Sequence, residues 1–228
     1  MKSNEFIKSL EKEFNKHSKS SIAKSQKAYM RNQFEFHGLT ANKRREIQNS
    51  FIKKNTITDL KKLTTSLWKL NKRDYQYFAQ ELIYSNHKKF KIDDINLFEY
   101  MIINKSWWDT IDFLAPKILG EYFKLFPEEI DKNIQKWISS NNIWLQRSSI
   151  LFQLKYKETL NTQLLTKIIL PLSNTKEFFI NKSIGWILRE YSKTNKDWVL
   201  DFVEKNKLSN LSIREALKHI NKTQINTI

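Results

Sequence analysis

Three glycines (Gly38, Gly120, Gly185) and three prolines are all that punctuate a chain of 228 residues. Ordinary usage is about 7% and 5%. Tight β-turns depend on these two residues for their unusual backbone angles, so a strand-rich fold would lack its turns. Helices joined by short polar loops remain, and the apolar residues recur accordingly, as in Phe6, Leu10, Phe14 and in Leu60, Leu63, Leu67, Leu70. Spacings of three and four place each set on one helical stripe. The pattern predicts about a dozen helices, with breaks near 18–20, 38–42, 55–58, 71–73, 86–92, 104–106, 125–127, 139–142, 159–162, 173–176, 194–196 and 207–211. Apolar residues are spread evenly, so a single domain over residues 1–228 is expected.

Trp68, Trp107, Trp144 and Trp186 are separated by 39, 37 and 42 residues. That spacing is close to the roughly 40–47-residue period of HEAT and armadillo helix pairs, although the tryptophans occupy different places within their helices. Composition is compatible with a helical repeat and with a bundle.

Forty Lys plus Arg against 24 Asp plus Glu give a formal charge of +16 and a pI near 9.8. Such a field favours a polyanionic partner, nucleic acid before an anionic membrane. No apolar run approaches the roughly 20 residues that span a bilayer, and the N-terminus is amphipathic and charged, so a soluble intracellular protein is expected. The absence of cysteine excludes disulfides, iron–sulfur clusters and thiolate-bound zinc. His17, His37, His87 and His219 are too scattered to suggest a metal site, and three separated glycines cannot form a phosphate-cradling loop. Neither a metal nor a cofactor is therefore expected.

Several polar residues interrupt apolar stripes. In SWWDTID, Ser106 and Asp109 have the spacing of a capping box. Asp112 lies four residues after Trp108 and three before Ala115, with Leu119 next on the same stripe. A carboxylate among apolar neighbours needs a partner or a task. Arg147 interrupts the stripe Ile143, Ile150, Leu154 in the same way. Two readings stand: a buried Asp112 to Arg147 ion pair, or a cleft where Arg147 holds a phosphate and Asp112 faces a reacting sugar. A third helix pairs a core stripe of Ile180, Ile184, Ile187 and Tyr191 with a separate stripe of Lys182, Trp186, Arg189 and Lys193. Cations around one large ring suit phosphates and a sugar or base, although basic stems also commonly cover a surface tryptophan. Residues 88–131 carry a net charge of −3, so an acidic element sits within a basic frame of +19.

At these residues the chain resembles the AlkD-type DNA alkylation repair glycosylases. The matching segments are AYMRNQFEFHGL (28–39), KSWWDTIDFLAPKILG (105–120), WLQRSSILFQLKYK (144–157) and FFINKSIGWILREYSKTN (178–195). The resemblance implies an all-α, HEAT-like helical-repeat solenoid with a concave basic DNA-binding face. It places the family's catalytic aspartate on Asp112, its sugar-contacting tryptophans on Trp108 and Trp186, and its cleft arginine on Arg147. Lys182, Arg189 and Lys193 are the further phosphate-binding candidates. The implied activity is hydrolysis of the N-glycosidic bond of cationic N3- or N7-alkylated purines in duplex DNA, working on the lesion without enclosing it in a pocket. A monomer in the bacterial-type cytoplasm, associated with the nucleoid, is expected. The alternatives are a non-catalytic HEAT-repeat protein that binds DNA structure, and a protein-scaffolding solenoid.

Overall fold

A computed structural model of the chain describes residues 3–55 and 57–225. Among these residues there are helices and no strands; one isolated bridge joins Glu35 and Lys72. The chain falls into two compact units, residues 1–89 and 90–228.

The first unit holds α1 (Ser3–Lys16), α2 (Ser20–Tyr29), α3 (Ala41–Lys54), α4 (Leu60–Trp68) and α5 (Arg73–Tyr84). The expected stripe of α1 is buried at Phe6, Leu10 and Phe14, and Leu63, Leu67 and Phe78 are buried with it. Residues 30–40, part of which the periodicity assigned to helix, form an irregular connection. Gly38 explains part of it: its φ is +80°, and a Cβ there would stand 2.1 Å from the Lys19 carbonyl oxygen. Only glycine fits that close approach in the left-handed region.

The second unit holds α6 (Ile95–Ile103), α7 (Trp108–Phe113), α8 (Gly120–Leu125), α9 (Ile130–Ile138), α10 (Ile143–Leu151), α11 (Thr162–Leu172), α12 (Phe178–Tyr191), α13 (Lys196–Lys205) and α14 (Asn210–Ile225). Its core includes Tyr122, Phe123, Trp137, Phe152 and Ile184, all fully buried. Burying each such side chain stabilises by about 1.5–3 kcal/mol. Several helices begin where asparagine caps a free backbone N–H: Asn142 for α10, Asn161 for α11 and Asn195 for α13. These positions follow closely the breaks expected from periodicity, and consecutive helices packing in this way are consistent with a helical-repeat fold.

Between α7 and α8 the helix continues, but Leu114–Leu119 is wound as a π-helix. Pro116 lies inside it and has no N–H for the carbonyl four residues back, that of Asp112. Widening the turn accommodates the proline ring without ending the helix. Periodicity could not reveal this, because the apolar stripe runs through the turn uninterrupted. No helix among the described residues is long and apolar enough to cross a membrane.

Candidate functional site

The start of α7 is set by backbone geometry and not by the capping box expected from sequence. Trp107 is the N-cap, extended at φ −162° and ψ 165°, with no side-chain cap. The Ser106 hydroxyl instead donates to the Ile102 carbonyl of α6 at 2.5 Å. Thr110 and Ile111 are buried on the inner side of α7, which leaves Trp108 and Asp112 partly exposed.

Asp112 and Arg147 meet directly. Arg147 Nε and Nη2 both donate to Asp112 Oδ1, at 3.0 and 2.7 Å, and Nη1 donates to the Phe179 carbonyl at 2.5 Å. One guanidinium thus joins α7, α10 and the first turn of α12. Its side chain is 3% exposed while that of Asp112 is 25% exposed. Among the described residues, hydrogen bonds to Asp112 reach Oδ1 alone. The ion-pair geometry weighed from sequence is therefore present, and it leaves a carboxylate oxygen over. Burial pushes the Asp112 carboxyl above its usual range, with Arg147 opposing the shift and Asp109 adding to it.

Three aromatic rings brace this arrangement. Trp107 and Trp144 lie 5.8 Å apart by ring centroid, and Phe179 lies 5.6 Å from the first and 5.1 Å from the second. Such ring pairs contribute about 0.5–1.5 kcal/mol beyond area burial. Here they fix Phe179, whose carbonyl holds Arg147. The Trp107 indole Nε1 is buried without a hydrogen-bond partner among the described residues. Sequence reasoning did not assign these three residues to the site. The available signals were the Trp144 and Arg147 spacing of three and the paired Phe178 and Phe179.

The basic stripe of α12 is also partnered. Lys182 Nζ and Arg189 Nη1 reach opposite oxygens of Glu215 on α14, each at 2.7 Å. Lys193, expected on the same helical stripe, lies in the turn just past the end of α12 and pairs with Glu190 at 2.6 Å. Trp186 is partly exposed between Lys182 and Arg189, seven residues and about 10 Å along the helix from Phe179. The core stripe is buried as expected at Ile180, Ile184, Ile187 and Tyr191. Glu215 was missed from sequence, although it is the one acid in α14.

Known proteins were compared with the chain. A search of functionally curated proteins finds no match. A solved structure described as a predicted DNA alkylation repair enzyme from Enterococcus faecalis superposes with a TM-score of 0.83. The two sequences are 32% identical, over 89% of this chain and 96% of that one. The family model for DNA alkylation repair enzymes matches residues 10–220, so the chain belongs to that family.

Proposed function

We propose that the protein is a metal-independent, monofunctional DNA glycosylase that hydrolyses the N-glycosidic bond of N3- and N7-alkylated purines in duplex DNA. The observation that carries this reading is the half-anchored carboxylate of Asp112: Oδ1 is held by Arg147, and Oδ2 is left for a reacting group. A purine alkylated at N3 or N7 is already cationic and leaves without a strong general acid. What needs stabilising is the positive charge that grows on the deoxyribose as the bond lengthens. Asp112 supplies Coulomb attraction to that charge and orients or deprotonates the attacking water. Trp108 and Trp186 present ring faces to the sugar, akin to cation–π attraction.

In this reading Lys182, Arg189 and Lys193 grip phosphates. Three of the five Arg147 N–H groups are engaged. Its main task in this reading is to orient Asp112; at 3% exposure its side chain offers little surface to a phosphate. The family match extends across both compact units, and we take them as one functional domain of a monomer working at the nucleoid of a bacterial-type cytoplasm.

Incubation with duplex DNA containing N7-methylguanine, followed by alkaline cleavage of abasic sites, tests the reading. Strand breaks at the lesion are expected. A second reading, a DNA-binding helical-repeat protein without excision, draws on the same ion pair taken as purely structural. It predicts binding and no abasic product.

A further inference from the structure

Lys182, Trp186 and Arg189 follow one another at steps of four and three along α12. Both cations end on a single carboxylate, Glu215 Oε1 for Lys182 and Oε2 for Arg189, each at 2.7 Å. The Glu215 side chain is 8% exposed, against 39% for Lys182 and 26% for Arg189. The acid is thus more deeply buried than the two cationic side chains it holds.

Backbone geometry fixes the acid there. At Gly185 a Cβ would stand 2.5 Å from Glu215 Cβ and 2.8 Å from the Ser212 carbonyl oxygen, so α12 and α14 touch where residue 185 has no side chain. The Ser212 hydroxyl adds a hydrogen bond of 2.9 Å to the Asn181 carbonyl. Glu215 is therefore delivered one residue from Trp186 by a close helix–helix contact.

We propose that Glu215 tempers the DNA affinity of this face: it cancels one of the two charges that flank Trp186 and holds both cationic heads in place, which limits the grip on duplex DNA, damaged and undamaged alike. The inference rests on the duplex-DNA reading above. A lysine ammonium has three N–H groups and a guanidinium five, and Glu215 takes one from each, so phosphates can still be met without breaking the clasp. The clasp carries a net charge of one where two free cations would carry two. Each phosphate neutralised contributes about 0.9 to the slope of log affinity against log salt. Phosphate contacts carry no base information, so the lower charge weakens binding everywhere and shortens each stay on the far more numerous undamaged sites.

The test is salt titration of binding to undamaged duplex by the full chain, the Glu215→Gln variant and the Glu215→Asp variant, with thermal melting to check that each is folded. Glu215→Gln is expected to bind about 5- to 10-fold more tightly at 0.1 M salt, with a slope steeper by about 0.9. Glu215→Asp, one methylene too short to span both heads, should fall between the parent and Glu215→Gln. Should Glu215→Gln not fold, Glu215→Asp carries the test alone. A clasp that is only structural lowers the melting temperature and leaves the slope unchanged or shallower, which overturns the proposal. If the parent itself binds duplex without salt dependence, the DNA reading fails; a salt-dependent parent with unaltered variants refutes only the role of Glu215.

Discussion

Arg147 meets Asp112 with two nitrogens converging on one oxygen, Nε at 3.0 Å and Nη2 at 2.7 Å from Oδ1. A fork-to-fork pair would place one bond on each carboxylate oxygen. Convergence fixes the carboxylate through Oδ1 and leaves Oδ2 outside the pair.

Replacement of Asp112 by Asn separates charge from shape. The amide oxygen can still accept from Arg147, so stability should fall by about 1–3 kcal/mol. Excision is expected to fall by about 100-fold, near 3 kcal/mol, with binding of alkylated duplex unchanged. Single-turnover excision and thermal melting on this variant decide the matter. Near-normal excision with a large melting shift would leave Asp112 with a structural role alone.

Arg147→Lys keeps the charge and loses the converging pair of donors. Lysine has one nitrogen and cannot reach Asp112 Oδ1 and the Phe179 carbonyl in the same geometry. Excision should fall about 10- to 100-fold while the salt dependence of binding stays as in the parent. A salt slope reduced by about 0.9 in Arg147→Ala would instead mark a direct phosphate contact.

The pH dependence has a defined sign. Burial raises the Asp112 carboxyl above its usual 3.8, so the carboxylate forms at higher pH than an exposed aspartate. Excision should rise with pH through that raised value, and the residual activity of Asp112→Asn should lack this limb. By linkage, a carboxyl raised in the folded state contributes stability that is full below its unfolded value and is lost as pH rises through the folded one. Glu215 behaves oppositely. Hydrogen bonding to Lys182 lowers its carboxyl from 4.5, so its contribution is full above that value and is lost as pH falls through the depressed one. Melting temperatures of Glu215→Gln and the parent should therefore converge in acid.

Gly185→Ala tests the contact between α12 and α14. The added Cβ meets Glu215 Cβ at 2.5 Å and must displace one helix. Overpacking of this kind costs about 1–3 kcal/mol, and a lower melting temperature with weakened excision is expected. An unchanged melting temperature would show that the helices yield freely there.

Lys182→Ala and Arg189→Ala should weaken binding of damaged and undamaged duplex together, since phosphate contacts carry no base information. Lys193, exposed and paired to Glu190 in the turn after α12, should matter less. Filter binding or fluorescence anisotropy on the two duplexes measures both effects. Loss of lesion preference with full nonspecific affinity would refute the phosphate assignment.

The all-helical class and most helix boundaries were legible in the sequence because both follow from local chemistry. Scarce glycine and proline exclude tight turns, the spacing of Phe6, Leu10 and Phe14 defines a helical face, and Asn142, Asn161 and Asn195 cap helices from one residue outside them. Asp112 and Arg147 were also legible as polar residues on apolar stripes, because a buried charge interrupts a pattern that is otherwise regular. Their partners were decided only in three dimensions. Arg147 and Asp112 are 35 residues apart, Arg147 and Phe179 are 32 apart, and Arg189 and Glu215 are 26 apart. Periodicity fixes which face a residue occupies but not which distant face packs against it. Ser106 turned to Ile102 and not to its own helix for the same reason, and the π-turn at Pro116 arose where a missing N–H met a continuous apolar stripe. Sequence thus determined the helices and the residues that do not belong on their faces; tertiary packing, through the close approach at Gly185 and the aromatic brace around Phe179, decided which oxygen of Asp112 is held and which cations Glu215 restrains.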